Sequence, residues 1–121
     1  MNRIKLALLA LTLSLGSTVS IAGDCVPPQA PTVPDGAAAT MEQMLAGQKA
    51  VKTFQTANIE YMACLEPQIA AAQAEVEAGS EDALAATKEL EERYNDAVSV
   101  EEAVAGQFNT EIRAYKAANP G

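Results

Sequence analysis

Gly79 and Ser80 divide the sequence beyond Thr40 into two stretches of equal length, 41–78 and 81–118. In each, apolar residues recur at three- and four-residue steps, the spacing of one face of an α-helix. The first stripe is Met44, Val51, Phe54, Tyr61, Met62, Leu65, Ile69 and Val76; the second is Leu84, Leu90, Tyr94, Ala97, Val98, Val104, Phe108, Ile112 and Tyr115. At 1.5 Å per residue each helix is about 57 Å long. Two such rods around a two-residue break have one simple way to bury both stripes, an antiparallel αα-hairpin or two-stranded coiled coil. Pairing that is symmetric about the break sets Val51 against Phe108, Leu65 against Tyr94 and Ile69 against Leu90, apolar against apolar in each case.

Local signals mark the helix ends. Thr40-Met41-Glu42-Gln43 fits a capping box, and Pro34-Asp35-Gly36 before it is turn chemistry. Gly79 suits the left-handed conformation that closes a helix, and Glu81 and Asp82 sit in a first turn where negative charge is favoured. Glu89 and Arg93 have the spacing of a well-oriented i,i+4 pair. Pro67 cannot donate a hydrogen bond to Ala63 and crowds that carbonyl. It therefore kinks the first helix or ends it near Glu66, and the in-phase stripe beyond it favours the kink. Ser99 to Glu102 also fits a capping box, but the periodicity does not slip there.

The N-terminus sets the compartment. Arg3 and Lys5 precede an apolar run from Leu6 to Leu15, and small residues follow to Ala22. That is the three-part layout of a secretory signal peptide, with Ser20 and Ala22 at −3 and −1 of a cut before Gly23. The run is shorter than the roughly 20 residues a span requires, and Asp24 stands where a lipoprotein signal places a small residue before its cysteine. The expected divisions are a signal peptide at 1–22, an extended Pro-rich strap at 23–40 and a helical hairpin domain at 41–121. The expected destination is the periplasm of a Gram-negative bacterium, or secretion beyond it, with no membrane span in the mature chain.

Cys25 and Cys64 are the only cysteines. Exported chains form and keep disulfides. Zinc usually wants four ligands and the sequence has no histidine, and the spacing is not that of a Cys-x-x-Cys redox pair. An intramolecular bridge is the leading reading and an intermolecular one the remaining alternative. Loop closure of this length is worth roughly 3–4 kcal/mol. Cys64 lies about 36 Å along the first helix from Thr40. The segment from Cys25 to Thr40, with four of the six prolines, spans about 46 Å as polyproline II. A stiff strap can thus run back along the first helix and be pinned at Cys64, its apolar residues covering the groove between the helices; a tethered but unpacked export linker is the alternative.

The quoted segments also match as a set: Cys25 with the proline-rich run to PDGAAAT (34–40), M-x-x-x-Q-x-x-V-x-x-F (44–54), YMACL (61–65), Tyr94-Asn95, and VAGQFNTEIRAYKAAN (104–119). On these the chain resembles a family of small exported α-helical proteins of proteobacteria. The resemblance covers nearly all of the mature chain and implies a recurring small helical fold, with no assigned activity attached. Pro67 stands apart from that pattern.

Charge and composition exclude more than they indicate. The formal net charge is −8, and it falls by two more when Arg3 and Lys5 leave with the signal. A nucleic-acid partner needs a basic face, so none is expected. Without histidine, Ser-His and Cys-His dyads are out. No phosphate-binding loop or EF-hand spacing occurs. No enzyme activity, catalytic residue, cofactor or metal is therefore expected. Glu77, Glu81 and Asp82 gather at the turn, where a solvated acidic tip is the expected reading over a weak divalent-cation site. Lys49, Lys52, Arg113 and Lys116 gather at the open end, making the rod electrically polar. Asn58, Asn95 and Asn109 lie near the stripes, where a polar group fixes register. The expected function is that of a non-enzymatic envelope module, structural or protein-interacting, with a periplasmic chaperone for hydrophobic clients as the alternative. The partner is either another envelope protein or a second copy, since two helices alone leave much of each stripe uncovered.

Overall fold

A computed structural model describes residues 24–121; the expected signal peptide, 1–22, and Gly23 lie outside the described residues. The described chain has an extended segment, 24–40, followed by two helices, α1 (Met41–Glu77) and α2 (Glu81–Ala118), which pack on each other as an antiparallel hairpin. Among the described residues there are no strands, and no helix is long and apolar enough to cross a membrane.

The ends form as their residues dictate. Thr40 caps α1 by accepting from the Gln43 amide at 3.2 Å, and the Gln43 side chain accepts from the Thr40 amide at 2.8 Å, completing the capping box. Gly79 adopts φ 96°, in the left-handed region, and so lets the Ser80 amide reach the Glu75 carbonyl and its own amide reach Val76. Ser80 also caps α2, its hydroxyl accepting from Ala83 at 3.3 Å. One glycine and one serine thus close one helix and open the next.

Pro67 lies inside α1, which continues through it to Glu77 and does not end at Glu66. Packing of Leu65 before Pro67 and of Ala72 after it carries the helix through the one hydrogen bond that Ala63 forgoes.

The buried positions alternate in steps of three and four. In α1 they are Met44, Gly47, Val51, Phe54, Asn58, Tyr61, Leu65 and Ala72, and in α2 Ala83, Thr87, Ala97, Val104 and Phe108 with half-buried Leu90, Tyr94 and Glu101 between them. That is a 3.5-residue repeat, the seam of a coiled coil. It corrects the second stripe at the turn and at mid-helix. Leu84 and Val98 are exposed, and Ala83 and Thr87 take the buried places expected of larger residues. Leu84 falls one position beyond the seam in that repeat, and the Thr87 hydroxyl bonds back to the Ala83 carbonyl at 2.8 Å. Val51 and Phe108 share one core cluster; Leu65, Tyr94, Ile69 and Leu90 share the other, in agreement with the symmetric register.

Candidate functional site

Cys25 and Cys64 are joined, with Cα atoms 5.8 Å apart across a sequence separation of 39. From this staple the strap runs antiparallel to α1. Pro28 and Pro31 lie beside Phe54, and the Pro34 ring rests against Gly47. Cys64 and Gly47 are about 26 Å apart along α1 at 1.5 Å per residue. The strap covers that between Cys25 and Pro34 at about 2.8 Å per residue, near the 3.1 Å rise of polyproline II. At Asp35 it turns: the amides of Ala38 and Ala39 donate to the Asp35 carbonyl at 3.1 and 2.8 Å.

Two contacts with α2 complete the clamp. Gly36 is buried, and its amide donates to the Glu111 carboxylate at 2.6 Å. Its Cα approaches so closely that any Cβ would fall 1.8 Å from the Glu111 carbonyl oxygen. At the other end, Arg93 reaches across the hairpin. Its Nη2 donates to the Cys25 carbonyl, its Nε donates to the Tyr61 hydroxyl at 3.1 Å, and its guanidinium lies 5.7 Å from the centre of the Tyr61 ring. Arg93 therefore ties strap, α1 and α2 together, a larger role than the expected pairing with Glu89. Val33 and Ala39 pack on the cluster that contains Phe54 and Phe108.

Of the three asparagines, Asn58 alone enters the seam. It donates to the Ala97 carbonyl at 2.9 Å and to the Glu101 carboxylate at 3.3 Å. Asn95 and Asn109 are exposed, because they fall one position beyond the seam in a 3.5-residue repeat. Glu77, Glu81 and Asp82 are exposed at the turn, and Lys49, Lys52, Arg113 and Lys116 are exposed at the open end. Among the described residues no three histidine, cysteine, aspartate or glutamate side chains are grouped to hold a metal ion.

The strap occupies only one flank of the seam. The opposite flank is bare. Along it Leu45 is 57 %, Ile59 58 % and Leu84 63 % exposed. Its open end holds an apolar cavity of about 270 Å³ lined by Met41, Met44, Leu45, Phe108, Ile112 and Tyr115, with Lys116 at its edge.

These parts define a class of structure: a two-stranded antiparallel coiled coil clamped on one side by a disulfide-anchored polyproline strap and open on the other. No family model, curated protein or solved structure matches the chain.

Sequence reasoning found the staple and Asn58. It missed Arg93 and Glu111 as clamp residues and read Gly36 only as a turn former. Arg93 carried one usable signal, a cation beside the stripe residue Tyr94. Glu111 carried none, since its partner is a backbone amide far off in sequence.

Proposed function

We propose that this chain is an exported, non-enzymatic helical module of the cell envelope that acts through its surface, and that its working surface is the bare flank. The observation that supports this reading is the asymmetry of the seam. One flank is covered by a strap held by a disulfide, a buried glycine contact and a three-way arginine. The other keeps Leu45, Ile59 and Leu84 in water and holds an apolar cavity at its open end, and an apolar concavity rimmed by polar residues marks an interaction site. Export rests on the layout of residues 1–22, on the bridged cysteines and on the resemblance to small exported proteins.

The test is site-specific photo-crosslinking in the exporting cell. A photoreactive residue at Ile59, on the bare flank, should give adducts, and one at Ala30, on the outer side of the strap, should give none. Equal yields from both, or none from either, would reject the flank as the working surface.

A second reading is favoured by one observation: the strap covers the aromatic side chains of Phe54 and Tyr61 and is covalently held at a single point. On that reading the chain is a periplasmic chaperone that binds hydrophobic clients once the strap is released. Reduction of the disulfide should then raise hydrophobic-dye binding and suppress client aggregation, and unchanged values on reduction would dismiss it.

A further inference from the structure

We infer that the bare flank is covered by a second copy of this chain, packed with its long axis reversed, about a two-fold axis that passes by Val98. This names the partner for the surface reading above and rests on it.

Leu84, Glu91, Val98, Ala105 and Ile112 recur every seven positions on the bare side of α2, so in a coiled coil they form one straight row beside the seam. The row is symmetric in what it offers. Leu84 protrudes at the turn end, 63 % exposed. Ile112 lines the 270 Å³ apolar cavity at the open end. The two lie about 42 Å apart along α2. Val98 stands midway between them, exposed. A copy turned end for end about Val98 therefore places each Leu84 over the other's cavity, Glu91 over Ala105, and Val98 over Val98. Knob meets hole twice, which is the self-complementarity an isologous interface needs.

Charge selects the same arrangement. The neighbouring row on α2 runs Glu81, Lys88, Asn95, Glu102, Asn109 and Lys116. Reversal about a point half a residue further on, within about 1 Å along the axis, sets Glu81 against Lys116 at both ends, and Asn95 against Glu102. A parallel copy would instead stack the acidic tips of both hairpins, Glu77, Glu81 and Asp82, on each other, a like-charge juxtaposition that opposes assembly. On α1, Ile59 falls close to the axis and adds apolar cover at the centre. The face is about 42 Å long and about two helix diameters wide, so it buries about 800 Å² per copy, the size of a standard stable interface. The product is a four-helix bundle with a strap on each outer side.

Sedimentation of the oxidised, signal-free protein tests this. The wild type should run as a dimer at about 0.1 mM. Val98→Glu places two carboxylates together on the axis and should run as a monomer with its helical circular dichroism intact. Lys116→Glu should weaken the dimer about tenfold, and Glu81→Lys added to it should restore the affinity. Val98→Cys should cross-link to itself on oxidation, while Leu84→Cys should not, because the two copies of that position stand about 42 Å apart. A monomeric wild type, a dimer indifferent to Val98→Glu, or self-cross-linking of Leu84→Cys would overturn the inference. A monomer whose Ile59 still cross-links to a different envelope protein overturns self-pairing and leaves the surface reading standing. A monomer with no adduct overturns both.

Discussion

In Gly36→Ala the added methyl would lie 1.8 Å from the Glu111 carbonyl oxygen and 2.9 Å from the Tyr115 amide nitrogen. Both atoms belong to the backbone of α2, which its own hydrogen bonds hold rigid, so the strap must give way. Retreat breaks the 2.6 Å bond from the Gly36 amide to the Glu111 carboxylate, a charge-assisted contact worth about 1.5–3 kcal/mol. It also lifts half-buried Val33 and Pro34 from the core, at about 1 kcal/mol for a fraction of the burial of one such side chain. The sum is about 3 kcal/mol. In a domain of this size each kcal/mol moves the melting temperature by about 4–8 °C, so a fall of about 12–24 °C is expected. The assay is thermal melting of the oxidised protein followed by helical circular dichroism. Gly106→Ala is the control: Gly106 lies on the exposed face of α2, and nothing stands within 4 Å of its added Cβ. There the better helix propensity of alanine should raise the melting point, through about 0.8–1 kcal/mol. Two glycine-to-alanine changes of opposite sign would establish that Gly36 is needed for space. If Gly36→Ala melts with the wild type, and the strap amides keep their protection from hydrogen exchange, the clamp as described is refuted.

Three further outcomes follow from the same contacts. Cys25→Ser with Cys64→Ser opens a loop of separation 39 and should lower the unfolding free energy in urea by about 4 kcal/mol; a loss under about 1 kcal/mol would show that the strap contributes no closure. Arg93→Lys keeps the charge but lacks the fork that serves the Tyr61 hydroxyl and the Cys25 carbonyl together, so the staple should be reduced by dithiothreitol about five- to tenfold faster; an unchanged rate would deny Arg93 its clamping role. Asn58→Ala removes the donor to Ala97 and Glu101 and should cost about 1–2 kcal/mol by chemical denaturation, and no loss would mean that these cross-helix bonds add nothing to stability.

Much of the fold was legible because its signals are short-range. Thr40 with Gln43, Gly79 with Ser80, and the three-four spacing of apolar residues each act within a few positions. The symmetric register followed from them, since a link of three residues, 78–80, leaves little room for slippage. The departures have one cause. A straight helix and a coiled coil differ in period by a tenth of a residue, which over the length of α2 was enough to bring Ala83 and Thr87 inward and turn Leu84, Val98, Asn95 and Asn109 toward water.

By itself the sequence determined two capped helices and their return on each other, because the caps need nothing beyond their neighbours, and it favoured a bridge within the chain, which the structure then showed. Which flank the strap takes, and therefore which flank stays bare, was decided by tertiary structure alone. It depends on Arg93 reaching Cys25 across 68 residues and Gly36 meeting Glu111 across 75, contacts whose partners carry no mark in sequence because one member of each is plain backbone.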